Sequence, residues 1–135
     1  MTETVFLIDT NVWLERLLGQ DRSSEVGVFL ERTPSSAMAM TDFSLHSIGV
    51  ILGRLKRHDV LGAFVEDLFG AGEVTLVRLE PMDASATSRA MERFGLDFDD
   101  AYQYVAAEKN GLLIVSFDSD FDGTDLGRKT PGEVT

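Results

Sequence analysis

Two runs of four unbroken apolar residues, Val5–Phe6–Leu7–Ile8 and Leu112–Leu113–Ile114–Val115, constrain this chain more than any other feature. A segment with no polar face has nothing to offer water on either side. Each run therefore reads as a strand covered on both faces, as in a parallel sheet. Ala37–Met38–Ala39–Met40 reads the same way, and Val74 to Leu79 alternates in a manner that favours β structure. Helical patterns fill the intervals. Val12, Trp13, Leu14, Leu17 and Leu18 follow the first strand, with Thr10 or Asn11 as cap. Val26, Phe29 and Leu30 form a second stripe behind Ser23 or Ser24, broken by Pro34. Asp42 is a candidate N-cap for a long helix to about His58, striped by Leu45, Ile48, Leu52 and Leu55. Leu61, Phe64, Val65 and Leu68 mark a shorter helix ending near Gly70–Ala71–Gly72. Two more run from Asp83 to Phe94 and from Phe98 to Asn110, where Gly111 can terminate the last. Strands separated by helices predict an α/β fold: one domain over residues 1–135, with a central, mostly parallel sheet flanked by helices.

In such sheets, sites form beyond the carboxyl ends of the strands. Both of the most apolar runs deliver an aspartate there, Asp9 directly and Asp118 after Ser116–Phe117. Either could be no more than a helix cap. A pair, Asp99–Asp100, opens the helix before the last strand. Helical geometry puts Asp100 in line with Tyr104 and Ala107, on a partly apolar face, and Asp99 in line with Gln103 and Asn110, on a polar one. Asp99 then reads as solvated or capping, and Asp100 as a carboxylate aimed at the protein body, where it needs a cation, a donor or a metal ion. Asp9, Asp100 and Asp118 can converge at one rim of the sheet. Carboxylates forced together repel and resist ionisation unless a cation intervenes. An all-oxygen ligand set suits Mg²⁺ or Mn²⁺, and such ions can activate water and stabilise a leaving oxygen in phosphodiester hydrolysis.

Composition narrows the setting. The chain has no cysteine, which excludes disulfides, thiolate chemistry and cysteine-built zinc sites. No apolar run approaches the roughly 18–20 residues that span a bilayer, and Met1 to Thr4 lacks the basic start of a signal peptide, so no membrane association and a cytoplasmic location are expected. The net charge of −11, from 12 Lys and Arg against 23 Asp and Glu, disfavours nonspecific binding of nucleic acid. A bound cation reverses that charge locally, which is how an acidic protein can accept a polyanion at one site.

The segment FLIDTNVWLERLL, from Phe6 to Leu18, resembles the opening of a PIN domain. FDDAYQYVAAEKNGLLIVSFDSDFD, from Phe98 to Asp122, is similar to the second signature of that family: an Asp–Ala helix start, a helix of small residues, a glycine, a strand and a terminal aspartate. TPGEV near the end resembles the family's closing segment. The resemblance spans the chain and implies a single PIN-like domain, a divalent-metal-dependent ribonuclease activity with RNA as substrate, and the VapC-type toxin's partner, an antitoxin. Homodimerisation is implied as well. It makes Asp9, Asp100 and Asp118 the metal-coordinating acids, with Asn11 and Ser116 as supporting polar residues and Asp120 and Asp122 as further candidate contacts.

One departure stands out. The family usually carries a glutamate early in the helix after the second strand; here the register places Ser47, with His46 before it, and no glutamate lies between Glu31 and Glu66. Asp42 either replaces that ligand or is a plain N-cap. The alternative function is therefore a catalytically degenerate PIN fold that binds RNA or protein. His46 and His58 lie about 18 Å apart on a continuous helix and cannot share a site. His58, beside Arg54, Lys56 and Arg57, reads as the solvated end of a helix, and Trp13, Phe29, Phe43 and Phe64 read as core. DSDFDG, from Asp118, mimics a calcium loop, but its twelfth position is Lys129 and a strand precedes it. A haloacid-dehalogenase phosphatase wants an aspartate where Asn11 stands, a receiver domain wants a lysine near Ser116, and no phosphate-binding loop of the P-loop kind is present.

Overall fold

The computed structural model describes residues 3–134. Its elements are β1 (Phe6–Ile8), α1 (Thr10–Leu17), α2 (Ser23–Arg32), β2 (Met38–Thr41), α3 (Asp42–Arg54), α4 (His58–Val65), β3 (Thr75–Val77), α5 (Ala84–Phe94), α6 (Phe98–Asn110) and β4 (Leu113–Val115). The strands form one sheet in the order β3-β2-β1-β4, and every pairing is parallel. The α/β reading therefore holds, with six helices flanking four strands.

The two-residue period of the strands explains the layering. Leu7, Ala39, Val77 and Ile114 point to one face and pack with Ala101, Tyr104, Val105 and Phe121 beneath α5 and α6. Ile8, Met38, Met40 and Val115 point to the other and pack with Trp13, Phe29, Ile48 and Phe64 of α1 to α4. Both faces are dry, which is why the central strands carry no polar residue until their ends.

The order places β1 between β2 and β4. The chain leaves β1 in one direction to build β2 and β3, then returns to add β4 on the other side. The reversal creates a crevice at the carboxyl ends of β1 and β4. Asp9 N donates to Val115 O at 2.9 Å, so the two strand ends are stitched together at that point.

Several local expectations change. The N-cap of α3 is Thr41, whose hydroxyl accepts from Ser44 N at 3.0 Å, and not Asp42, which is the first residue of the helix. Helix α3 stops at Arg54 instead of reaching His58. Lys56 N donates to Gly53 O and Arg57 N to Leu52 O, the paired bonds of a Schellman ending, with Lys56 in the left-handed region at φ 57°. The turn lets α4 swing back and lay Phe64 edge-on against Trp13, 5.4 Å between ring centres. His58 thus starts a helix. Strand β3 ends before Leu79, whose N–H donates to Tyr102 Oη at 3.1 Å and not to a neighbouring strand.

Candidate metal centre

Asp9 follows Ile8, so the strand period carries it to the α6 side of the sheet, as it does Thr41 after Met40 and Ser116 after Val115. Asp9 is only 7% exposed, yet every side of its carboxylate is met. Oδ1 accepts from Thr10 N at 2.8 Å and Gln103 Nε2 at 2.9 Å. Oδ2 accepts from Ser116 Oγ at 2.7 Å and, more weakly, Asn11 Nδ2 at 3.4 Å. Asn11 also donates to Ser116 Oγ and accepts from Phe117 N, which fixes its amide. Ser116 Oγ accepts from Asp118 N at 3.0 Å and so bridges Asp9 to Asp118.

Asp97, not Asp99, caps α6: its carboxylate accepts from Asp100 N at 3.1 Å. That cap sets the first turn so that Asp100 faces the crevice. Asp118 in turn caps the short 3₁₀ segment Ser119–Gly123, accepting from Asp120 N at 2.8 Å, and the tight turn folds Asp120 back beside it. One carboxylate oxygen from each of Asp100, Asp118 and Asp120 lies within 4.8 Å of the others.

The electrostatics follow from this crowding. Burial first, and then the charges of Asp118, Asp97 and Asp9, push Asp100 up to about 7. Burial also raises Asp9; hydrogen bonds from Gln103, Ser116 and Thr10 oppose the rise, and Asp118 adds to it. Such a set of acids is strained as a set of anions, and a hard divalent cation is the species that relieves it. The residues fit such an ion: three oxygen donors at mutual coordination distance, a fourth acid alongside, and a cleft of about 340 Å³ that Asp9, Asn11, Asp99, Asp100 and Asp118 line in common.

The remaining predicted acids are elsewhere. Asp42 accepts from Tyr102 Oη at 2.8 Å and from Phe43 N, bracing that ring and not the acid cluster. Asp122 pairs with both arms of Arg128, at 3.0 and 3.2 Å. Ser47 lines the cleft, so an acid at that position would have faced the others. Phe43, read as core, is half-buried on the cleft wall and stacks near Tyr102, 5.5 Å between ring centres, whereas Trp13, Phe29 and Phe64 are buried as expected. Gln103, read as lying on a polar face, is 3% exposed and turned towards Asp9. Its one signal in the sequence is an amide set among the small, apolar and aromatic residues from Ala101 to Ala107.

Comparison with known proteins places this geometry. The family model of the PIN domain matches residues 6–126. The chain belongs to the PIN-domain family. Solved structures agree in fold. A toxin–antitoxin complex from Klebsiella pneumoniae superposes with a TM-score of 0.73 at 18% identity, over 93% of this chain and 96% of that one. FitAcB from Neisseria gonorrhoeae gives 0.75 at 19% identity, over 94% and 98%. VapC20 of Mycobacterium tuberculosis, a toxin that cleaves the sarcin–ricin loop, gives 0.75 at 17% identity, over 90% and 95%. No curated protein sequence matches the chain. Within this PIN domain, Asp9 and Asp118 sit at the crevice between β1 and β4, and Asp100 enters from α6. Among the described residues no helix is long and apolar enough to cross a membrane.

Proposed function

We propose that this PIN domain is a divalent-metal-dependent ribonuclease that hydrolyses RNA phosphodiester bonds and serves as the toxin of a toxin–antitoxin pair. The observation that carries the reading is the meeting of Asp100, Asp118 and Asp120 within 4.8 Å, beside a buried Asp9, at the crevice of a parallel sheet. Asp100, Asp118 and Asp120 would hold Mg²⁺ or Mn²⁺, with Asp9 contributing charge and its Oδ2 edge. When bound, such an ion lowers the pKa of water and stabilises charge on the leaving oxygen. The protein's own part is arrangement. Asn11 and Ser116 fix the Oδ2 edge of Asp9, Asp97 sets the start of α6, and the Asp118 turn presents Asp120.

The toxin reading draws on the toxin–antitoxin complex and the toxin of similar fold, and on a groove that adjoins the acidic cleft. Leu14, Leu18, Ile51 and Phe117 line it, and Leu14 and Ile51 belong to both. An apolar segment of an antitoxin seated there would cover the approach to the acids. The competing reading is a degenerate PIN module that binds RNA or protein without cutting it, and Ser47 in place of a glutamate is the observation in its favour.

Mn²⁺ titration by calorimetry, on the native chain and on Asp9→Asn and Asp100→Asn, tests the choice. Binding that weakens in both variants, together with Mn²⁺-dependent cleavage of RNA by the native chain alone, is the expected result. A native chain that binds no Mn²⁺ at millimolar concentration leaves the non-enzymatic module as the function.

A further inference from the structure

We infer that Gln103 is a positioning residue of the metal centre: it commits Oδ1 of Asp9 and thereby reserves Oδ2 for the acid cluster. The inference rests on the nuclease reading above and deepens it. It begins with a buried side chain whose every polar atom is used. Gln103 Nε2 donates to Asp9 Oδ1 at 2.9 Å and to Ser44 Oγ at 2.8 Å, and Oε1 accepts from Thr41 Oγ1 at 2.6 Å.

The amide cannot turn over. Thr41 Oγ1 already accepts from Ser44 N at 3.0 Å, so its single proton is free for Gln103 Oε1. The flipped amide would set Oε1 against the Asp9 carboxylate, two acceptors face to face. Thr10 Oγ1 donates to Ser44 Oγ at 2.8 Å and closes the circuit. The result is a chain of donors that starts at the N-terminus of α3, passes through α6 and ends on one oxygen of Asp9.

The geometric consequence concerns the other oxygen. A carboxylate offers about four acceptor positions. Thr10 N and Gln103 take those of Oδ1, and Ser116 Oγ takes one of Oδ2 at 2.7 Å. The fourth contact, Asn11 Nδ2 at 3.4 Å, is the longest of the set and the one most readily displaced. It lies on Oδ2, the edge that Ser116 Oγ links to Asp118 N. Gln103 thus holds the plane of the carboxylate so that its one yielding position lies on Oδ2, beside Ser116, and not on Oδ1. Asp9 is fixed to Thr41 and Ser44 of the sheet–α3 junction by a side chain from α6, so three elements set one angle.

The test uses the full chain. Gln103→Met keeps the length and apolar bulk and removes all three hydrogen bonds; Thr41→Val removes the donor that orients the amide and leaves Gln103 in place. Thr87→Val serves as a stability control, since Thr87 is also buried and bonds only Asp83 O, away from the cleft. Mn²⁺ affinity by calorimetry, Tm, and kcat and KM for a short single-stranded oligoribonucleotide at saturating Mn²⁺ are measured for each. The expected result is a loss of roughly 10–100-fold in Mn²⁺ affinity or kcat in Gln103→Met and a smaller loss of the same kind in Thr41→Val. KM should stay within about twofold, as for an interaction that orients the reacting groups without binding the substrate, and Thr87→Val should lose Tm alone. If Gln103→Met fails to fold, Thr41→Val carries the comparison. Native-like Mn²⁺ affinity and kcat in the folded variants overturn the positioning role and leave the nuclease reading intact. A native chain that neither binds Mn²⁺ nor cleaves overturns both.

Discussion

At the scale of single residues, burial raises both Asp9 and Asp100, and the two differ in how far hydrogen bonds oppose that rise. Asp9 is surrounded by four donors, whereas Asp100 sits at about 7 with acids on three sides. A carboxyl whose pKa is higher folded than unfolded holds its proton more tightly in the folded state. Its contribution favours folding at low pH and fades as pH rises from near 4 through 7. In the absence of divalent ions, Asp100→Asn should therefore match the native chain in stability at pH 4 and exceed it at pH 8, by on the order of 1 kcal/mol given the solvent screening of this partly exposed position, with a correspondingly higher Tm. Equal Tm values at pH 8 in chelator would show that the acids are not in conflict. Asp9, Asp100 and Asp118 were legible in the sequence because a strand end or a helix start announces where such a residue points. Gln103 was not, since its inward aim depends on α6 being buried on nearly every side, which composition alone does not reveal. Asp97 was missed for a related reason: three acids stand together at Asp97, Asp99 and Asp100, and only the cap geometry selects the first.

At the scale of elements, strand and helix identities were readable, as were both ends of α6, but the end of α3 was not. Every strand forecast is present, since a run such as Val5–Ile8 has only one comfortable environment. The end of α3 depends instead on tertiary packing. A helix continuing to His58 would carry α4 away from Trp13, and the chain accepts a left-handed Lys56 to avoid that. A side chain in this region costs about 1–2 kcal/mol, which glycine does not incur. Lys56→Gly should raise the stability of the domain by about 0.5–1 kcal/mol after the greater freedom of its unfolded chain is subtracted, without changing Mn²⁺ affinity. Urea unfolding of the two chains measures this, and a destabilised variant would place the bend's cost elsewhere. The misassignment of Asp42 has the same origin as that of α3's end. Thr41 closes a buried strand and caps from there, which frees the next residue to brace Tyr102.

At the scale of the whole molecule, the candidate site is a junction of β1, β4, α6 and the turn after β4, and the acids proposed as ligands come from more than one of these. Occupancy should therefore register as global stability. At a Mn²⁺ concentration about 100-fold above its dissociation constant, the domain should gain roughly 2.7 kcal/mol and about 10 °C in Tm, and Asp118→Asn should abolish most of that gain. A metal-independent Tm would contradict a site shared between elements. The strand order has a further consequence, one of timing. β1 precedes its neighbour β4 along the chain, with β2 and β3 made in between. A nascent chain can pair β1 with β2 early, but it has no Ser116, Asp118 or Asp120 to set beside Asp9 until synthesis has passed those positions. A protein able to cut RNA would thus be born harmless to the message and the ribosome making it, and fragments from interrupted translation would carry half a cleft and no activity.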